Sequence, residues 1–301
     1  MSNNYGLETK ELTRKFGSQT AVDHVSLHIP KGAVYGLVGR NGAGKTTIMK
    51  MITNLIHTTS GDIYINGKKE SPRHHQAVGT LIEEPGYMPN LSAYENLLSK
   101  CRLMNVKQPD KQAQQLLEAM KLEKTGKKAV KNFSLGMRQR VGIALAFCGF
   151  PSLVLLDEPI NALDPQGIIE VREFLSKMKK EGMTILISSH LLDELLKVAD
   201  YFGIISKGKL VKELSRQEMD QLTKTNLCIR VDKPTEAREL LLDLGDIPIS
   251  DHVLKISKEK AEPAILNERL LTAGIKVYEI YMEHLDAEDF FIQIMGGENY
   301  A

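Results

Sequence analysis

Gly39-Arg40-Asn41-Gly42-Ala43-Gly44-Lys45-Thr46-Thr47 has the spacing G-x-x-x-x-G-K-T, that of a loop whose backbone can cradle phosphates. Val34-Tyr35-Gly36-Leu37-Val38, just before it, is an apolar run suited to a buried parallel strand. After Lys45, the residues Ile48, Met49, Met51, Ile52 and Leu55 recur at helical spacing. Strand, glycine loop and helix together let successive N–H groups turn inward on a polyphosphate at the positive end of the helix. Lys45 can then reach the outer phosphates, and the Thr46 hydroxyl can ligate Mg²⁺. The stretch therefore implies a nucleoside-triphosphate site at the carboxyl end of a strand in an α/β sheet.

The rest of the composition bounds the setting. A chain of 301 residues has room for about two domains. Its formal net charge of +1 shows no general pull toward nucleic acid or anionic lipid, and no nucleic-acid partner is expected. Cys101, Cys148 and Cys228 are scattered and odd in number, which argues for reduced thiols in the cytosol rather than a disulfide framework or a zinc site. Met1–Lys15 is too polar for a secretory signal. The longest uncharged stretch, Val141–Leu156, is too short to span a bilayer. Work at a membrane would need spans from another subunit.

Upstream of the loop, Leu7–Pro30 alternates in short runs that fit exposed antiparallel strands. Phe16 sits between the first two; it could stack on an adenine ring or serve as a core or turn aromatic, and spacing alone does not choose. His24 and His28 have no ligand partners at metal-binding spacing. Ser60–Gly67 reads as a turn, a strand and an Asn-Gly turn. His74 and His75 follow Pro72 in a polar stretch and are expected in solvent. Val78–Pro85 is a strand ending in Glu83 and Glu84, and a strand end near the phosphate loop could bring Glu83 toward the metal. Leu91–Leu122 is helical in pattern, broken at Pro109, with Tyr94, Leu97, Leu98, Cys101 and Met104 as a packing face. Asn132–Arg140 reads as a polar loop leading into an apolar helix, Val141–Phe147, so that Ser134, Gly136 and the helix amides form a second potential anion site.

Leu153-Val154-Leu155-Leu156-Asp157-Glu158-Pro159 is an apolar strand ending in paired carboxylates. With a phosphate loop upstream, Asp157 is placed to hold the Mg²⁺ shell. Glu158, redirected by Pro159, is placed to orient and deprotonate water. That pairing favours hydrolysis over passive binding. Asn161–Pro165 forms a tight loop before the helix Gln166–Lys180, and Met183–His190 is another buried strand that delivers His190 at its end.

These pieces, in this order over Leu7 to Lys212, resemble the nucleotide-binding subunit of an ATP-binding cassette (ABC) transporter. The resemblance implies an α/β P-loop domain with an antiparallel β subdomain and a helical subdomain, binding ATP with Mg²⁺. Within it, Phe16 corresponds to the adenine-stacking aromatic. Gly39, Asn41, Gly42, Gly44, Lys45, Thr46 and Thr47 correspond to the Walker A loop. Asp157 ends Walker B, Glu158 is the catalytic carboxylate, Asp164 closes the following loop, and His190 is the switch histidine. The signature loop falls on Phe133–Met137, where the usual L-S-G-G-Q reads F-S-L-G-M; Ser134 and Gly136 persist. At Glu83 most of the family has a glutamine that touches Mg²⁺ and the attacking water. The carboxylate there, with Leu81–Tyr87 and Asn90–Leu97 around it, resembles the bacitracin-resistance and lantibiotic-immunity branch. A negative group beside Mg²⁺·ATP should strengthen metal binding and disfavour hydroxide.

Family geometry further implies a head-to-tail homodimer with each ATP between Lys45 of one copy and Ser134 of the other. It also implies a polytopic permease partner that holds the chain at the inner face of the membrane. Residues 1–212 are expected as this domain, 213–225 as a charged helical linker, and 226–301 as an accessory unit. The tail reads as strand Leu227–Val231, helix Thr235–Leu244, a hairpin around Ile247–Ile256, helix Glu262–Ala273, strand Lys276–Tyr281 and helix Ala287–Met295. That β-α-β-β-α-β order suggests a small ferredoxin-like α+β unit, with no catalytic set in it, for packing or dimer support or, alternatively, for sensing a ligand. The engine reading is an ATPase driving export of an antimicrobial peptide. Its rivals are the same engine with a drug, lipid or ion as cargo, and a soluble ATP-gated assembly factor.

Overall fold

The computed structural model describes residues 4–70, 78–190, 192–222, 226–257, 262–283, 291 and 294. His74, His75 and nearly all of the expected helix Ala287–Met295 lie outside the described residues. The chain forms two compact units, Met1–Arg216 and Gln217–Ala301.

The first unit opens with antiparallel strands β1 (Tyr5–Phe16), β2 (Gln19–Val25) and β3 (His28–Pro30). Next come β4 (Val34–Val38) and, across the phosphate loop, α1 (Lys45–Ile52). β5 (Ser60–Ile65), β6 (Lys68–Lys69) and β7 (Val78–Leu81) follow. Helices α2 (Ala93–Leu103), α3 (Pro109–Ala119) and α4 (Leu135–Ala146) make up the helical part. The chain then alternates β8 (Leu153–Asp157), α5 (Pro165–Lys180), β9 (Thr184–Ser189), α6 (Leu192–Leu196), β10 (Tyr201–Ser206) and β11 (Lys209–Ser215).

Two sheets result. One runs β2-β1-β5-β6 with β3 on β1, and the other runs β11-β10-β4-β9-β8-β7. In the second, all pairings are parallel except the edge pair β10/β11. Every residue of β4, β8 and β9 is buried, as the apolar runs Val34–Val38, Leu153–Leu156 and Ile185–Ile187 within them require of strands covered on both faces. Each fully buried Leu, Ile or Val there stabilises the fold by about 1.5–3 kcal/mol. The consequence for function is positional: β4, β9, β8 and β7 are neighbours and parallel, so their carboxyl ends deliver residues to one edge.

Several expectations shift by a few residues, each for a local reason. α1 stops at Ile52, because Thr53 Oγ1 turns back to Met49 O at 3.0 Å and Asn54 adopts φ 56°; Leu55 is left 63% exposed. The run upstream of the loop is led by one 12-residue strand, β1, kept continuous through bulges. The polar stretch after Phe133 is already helix: Ser134 caps α4 by accepting from Met137 N at 3.3 Å, so Gly136 to Arg140 are its first turns. Residues 213–215, expected in the linker, complete β11, whose charged residues suit an exposed sheet edge. α7 (Arg216–Leu222) follows.

Glu213 of β11 also ties the sheets together. It accepts from the buried Tyr35 hydroxyl on β4 at 2.7 Å and from the His28 amide on β3 at 3.0 Å. Burial, and then the neighbouring Glu213 charge, raise the Tyr35 phenol well above its ordinary pKa.

The second unit contains β12 (Asn226–Val231), α8 (Pro234–Leu240), β13 (Ile249–Ser250), β14 (Val253–Ser257), α9 (Pro263–Thr272) and β15 (Val277–Glu283). Its sheet runs β13-β14-β12-β15 and is antiparallel throughout, the β-α-β-β-α-β arrangement expected. Leu227, Ile229 and Val231 alternate onto a core with Leu241, Leu254, Leu266 and Leu270. The helix expected over Thr235–Leu244 is split: α8 ends at Leu240, and a single 3₁₀ turn, Leu242–Leu244, closes at Gly245 with φ 102°. Pro248 stands just ahead of the short edge strand β13, where no ladder donor is needed; its carbonyl accepts from Lys255 N at 3.0 Å.

Candidate functional site

The loop between β4 and α1 is held by close backbone approach. Gly44, at φ 109°, caps α1, and a Cβ there would stand 2.8 Å from Ala21 O. A Cβ on Gly42 would meet nothing within 4 Å, because that residue borders open cleft. The cleft holds about 400 Å³ and is lined by Asn41, Gly42, Gly44, Lys45, Thr46 and Thr47, with Thr20, Glu158 and Lys207 across from them.

Lys45 is 5% exposed. Its ammonium donates to Gly39 O at 2.6 Å and Arg40 O at 3.3 Å, and lies 3.6 Å from Glu158 Oε1. It is a buried cation solvated by loop carbonyls, ready to exchange them for phosphate oxygens. Thr46 Oγ1 donates to Asp157 Oδ2 at 2.7 Å, and Ser188 Oγ donates to Asp157 Oδ1. Asp157 is thus a buried carboxylate whose partners are hydroxyls. No basic side chain pairs with it among the described residues, so its charge calls for a cation. Two hard oxygens, Thr46 Oγ1 and Asp157 Oδ2, converge as Mg²⁺ demands, and that ion takes its other ligands from phosphate and water. The residues fit the metal.

Glu158 follows β8 in the left-handed region at φ 48°, a conformation costly for a residue with a Cβ. Its amide donates to Ser188 O at 3.2 Å and to Ser188 Oγ at 3.0 Å. The turn redirects the carboxylate toward the loop. Oε2 contacts His190 Nδ1 at 2.9 Å, while Oε1 is buried without a hydrogen-bond partner. A buried carboxylate oxygen with no donor is an acceptor waiting for one, and a water proton would serve. Glu158 and Lys45 line the cleft, Thr46 and Asp157 meet beside it, and His190 contacts Glu158. Asp157, Glu158 and His190 stand at or just beyond the carboxyl ends of β8 and β9, and Lys45 and Thr46 open α1 beyond the carboxyl end of β4.

Three expected residues are placed differently. Phe16 ends β1, 47% exposed, and Arg14 stacks its guanidinium 4.4 Å from the ring centroid. It is therefore no core residue, but it is not among those lining the cleft. Glu83, at φ 59° after β7, pairs its carboxylate with Lys50 of α1 at 2.5 Å rather than with Thr46 or Asp157. Asp164 caps α5 by accepting from Gly167 N at 3.0 Å. With Ser134 and Gly136 it lines a second cleft, which shares no lining residue with the first.

Ser188, Lys50 and Gln139 are further residues that sequence reading gave no role. Ser188 sits one strand over from Asp157 in register. Gln139 Nε2, on α4, donates to Glu158 O at 3.3 Å and Pro159 O at 3.1 Å. Nothing in local spacing marks such long-range partners; only strand order reveals them.

Comparison with known proteins agrees with this geometry. The ABC transporter family model matches residues 22–161. The chain is 36% identical over 299 residues to the bacitracin transport ATP-binding protein BcrA of Bacillus licheniformis, covering 97% of each. It is 45% identical over 207 residues to the lantibiotic transport ATP-binding protein SrtF of Streptococcus pyogenes, covering 69% of this chain and 90% of the relative. A solved ATP-binding subunit of an ABC transporter superposes with a TM-score of 0.64 at 28% identity, over 72% of this chain and 92% of that one.

Proposed function

We propose a transport role for this chain, which belongs to the ABC transporter family as an ATP-binding subunit: it powers the expulsion of antimicrobial peptides through a separate membrane permease. It is an ATPase that uses ATP with Mg²⁺. The observation that carries the hydrolytic reading is Glu158 Oε1, buried without a hydrogen-bond donor and 3.6 Å from Lys45 Nζ. Phosphate held by Lys45 and the loop amides lies where that oxygen can orient and deprotonate an attacking water, as a general base does. His190, through Nδ1, steadies the other oxygen. Thr46 and Asp157 would hold Mg²⁺, which would neutralise charge on the phosphates. In this reading Glu83, freed from Lys50, tunes the metal side of the site, and Phe16 stacks on the base.

The peptide cargo is supported by likeness over nearly the whole chain, second unit included, to a bacitracin transport protein. No helix among the described residues is long and apolar enough to cross a membrane, so the permease supplies the spans and the chain sits at the inner face of the membrane through it. In this reading two copies pair head to tail, and the separation of the Ser134 cleft from the Lys45 cleft within one chain supports it. Nucleotide closes the pair and hydrolysis opens it, a two-state element biased by its ligand.

A strain lacking this protein, challenged with a panel of peptide antibiotics, tests the reading. Selective sensitivity rescued by the native chain and not by Glu158→Gln is the expected result. Sensitivity to none of the peptides, in a strain whose purified protein still hydrolyses ATP, would move the cargo to another class.

A further inference from the structure

The Ser134 cleft carries more positive charge than its own chain neutralises. Its charged lining residues are Lys121, Lys124, Lys128, Arg140, Asp164 and Glu170. Arg140 engages both carboxylates, with Nη1 2.6 Å from Glu170 Oε2 and Nη2 3.9 Å from Asp164 Oδ1. No carboxylate among the described residues pairs with Lys121, Lys124 or Lys128. The three ammonium groups have no ion-pair partner among those residues, and the lining as a whole, four cations against two carboxylates, carries a net +2. A lysine on a surface is ordinarily a solvated charge, but three without an ion-pair partner in one cleft repel each other and favour an anion between them.

The start of α4 in the same cleft is short of side-chain donors. The Ser134 hydroxyl oxygen already accepts from Met137 N. Leu135, 60% exposed, and Met137 stand where the family's usual signature has glycine and glutamine. Met137 lacks the side-chain donor that glutamine has, whereas glycine had none for Leu135 to lose. The lysines border this gap.

We propose that Lys124 and Lys128, seconded by Lys121, bind the phosphates of ATP held by the Lys45 loop of a second copy, supplying the contact that Met137 cannot. The proposal rests on the head-to-tail dimer put forward above and assigns its phosphate-binding cations. Ammonium groups reach phosphate as point charges, so their contribution is electrostatic and screened by salt.

The test uses full-length protein in a Glu158→Gln background, where ATP drives dimerisation without turnover, followed by size-exclusion chromatography with light scattering. Lys124→Ala with Lys128→Ala raises the ATP concentration for half-dimerisation about tenfold, the sum of two partly exposed ionic contacts, and weakens its dependence on KCl. Arginine at both positions restores the parent value. Binding of a fluorescent ATP analogue, measured at protein concentrations that keep the chain monomeric, is unchanged, because the Lys45 cleft is intact. Lys107→Ala with Lys111→Ala, on a different cleft, changes neither readout.

Half-dimerisation unmoved by the double alanine variant overturns the proposal and leaves the dimer standing. An equal loss of nucleotide binding by the monomer also overturns it, since the lysines would then act within their own chain. Failure of the Glu158→Gln parent to dimerise with ATP removes the dimer and the proposal together.

Discussion

Glu158 Oε2 and His190 Nδ1 lie 2.9 Å apart, and that contact leaves Glu158 Oε1 as the oxygen facing Lys45. The two carboxylate oxygens therefore have different work: one is held, the other is available. Glu158→Gln keeps the shape and the histidine contact but removes the basic oxygen. ATP turnover should fall by about 10²–10⁴-fold, the usual loss on removing a general base, while ATP binding persists. Steady-state hydrolysis together with gel filtration in ATP checks this; full turnover in the variant would relieve Glu158 of the role.

Gly44 is the loop position least able to accept a side chain. Its φ of 109° and the 2.8 Å approach of Ala21 O act against any Cβ. Gly44→Ala should cost about 1–3 kcal/mol, lowering Tm by about 2–4 °C per kcal/mol, and should abolish nucleotide binding by moving the loop amides. Calorimetry with a nucleotide titration measures both, and normal ATP affinity would contradict the cradle geometry.

Tyr35 connects stability to pH. Its folded-state pKa is raised, by burial first and by Glu213 second. A raised pKa contributes stability that is fully present below the unfolded value, about 10 for tyrosine, and is lost as pH rises through the folded value. Tyr35→Phe should begin about 1 kcal/mol less stable at neutral pH, for the lost hydrogen bond, and the gap should narrow above about pH 10. Urea denaturation across that range gives the answer; a gap independent of pH would deny the linkage.

Glu83 and Lys50 form an ion pair whose side chains are 59% and 27% exposed. Such pairs contribute about 0–1 kcal/mol, so Glu83→Gln should barely alter Tm. On the role proposed for Glu83 at the metal side of the site, the same change should keep ATP binding but alter turnover or its coupling to resistance. Unchanged hydrolysis and unchanged resistance would sink the idea.

The parts of the molecule legible in sequence are those written in periodicity. Val34–Val38 and Leu153–Leu156 are continuous apolar runs, and both form fully buried strands, the second ending in Asp157. The phosphate loop, Asp157, Glu158 and His190 are strand-end residues, so finding the strands located them. What escaped depended on contacts distant in the chain. Glu83 reaches Lys50 across 33 positions and Ser188 reaches Asp157 across 31. α4 begins six residues earlier than Val141 because Gly136 to Arg140 look polar on their own. They are helical because Ser134 caps them and because Arg140 and Gln139 find partners on α5 and in the loop after β8. The end of β11, residues 213–215, reads as linker because an edge strand is permitted charge that a central strand is not.

One side chain has consequences beyond its size. α4 begins at the Ser134 cleft, and Gln139 pins its second turn to the carbonyls of Glu158 and Pro159. An anion seated at the start of the helix and a water seated at Glu158 therefore report to the same rigid rod. In a paired assembly, occupancy of one half-site becomes a thermodynamic input to the other, and linkage makes that influence reciprocal. ATP-dependence curves of the native protein should be sigmoidal. Gln139→Leu should return them toward a Hill coefficient of about 1, turning two partners that act in concert into two that merely adjoin.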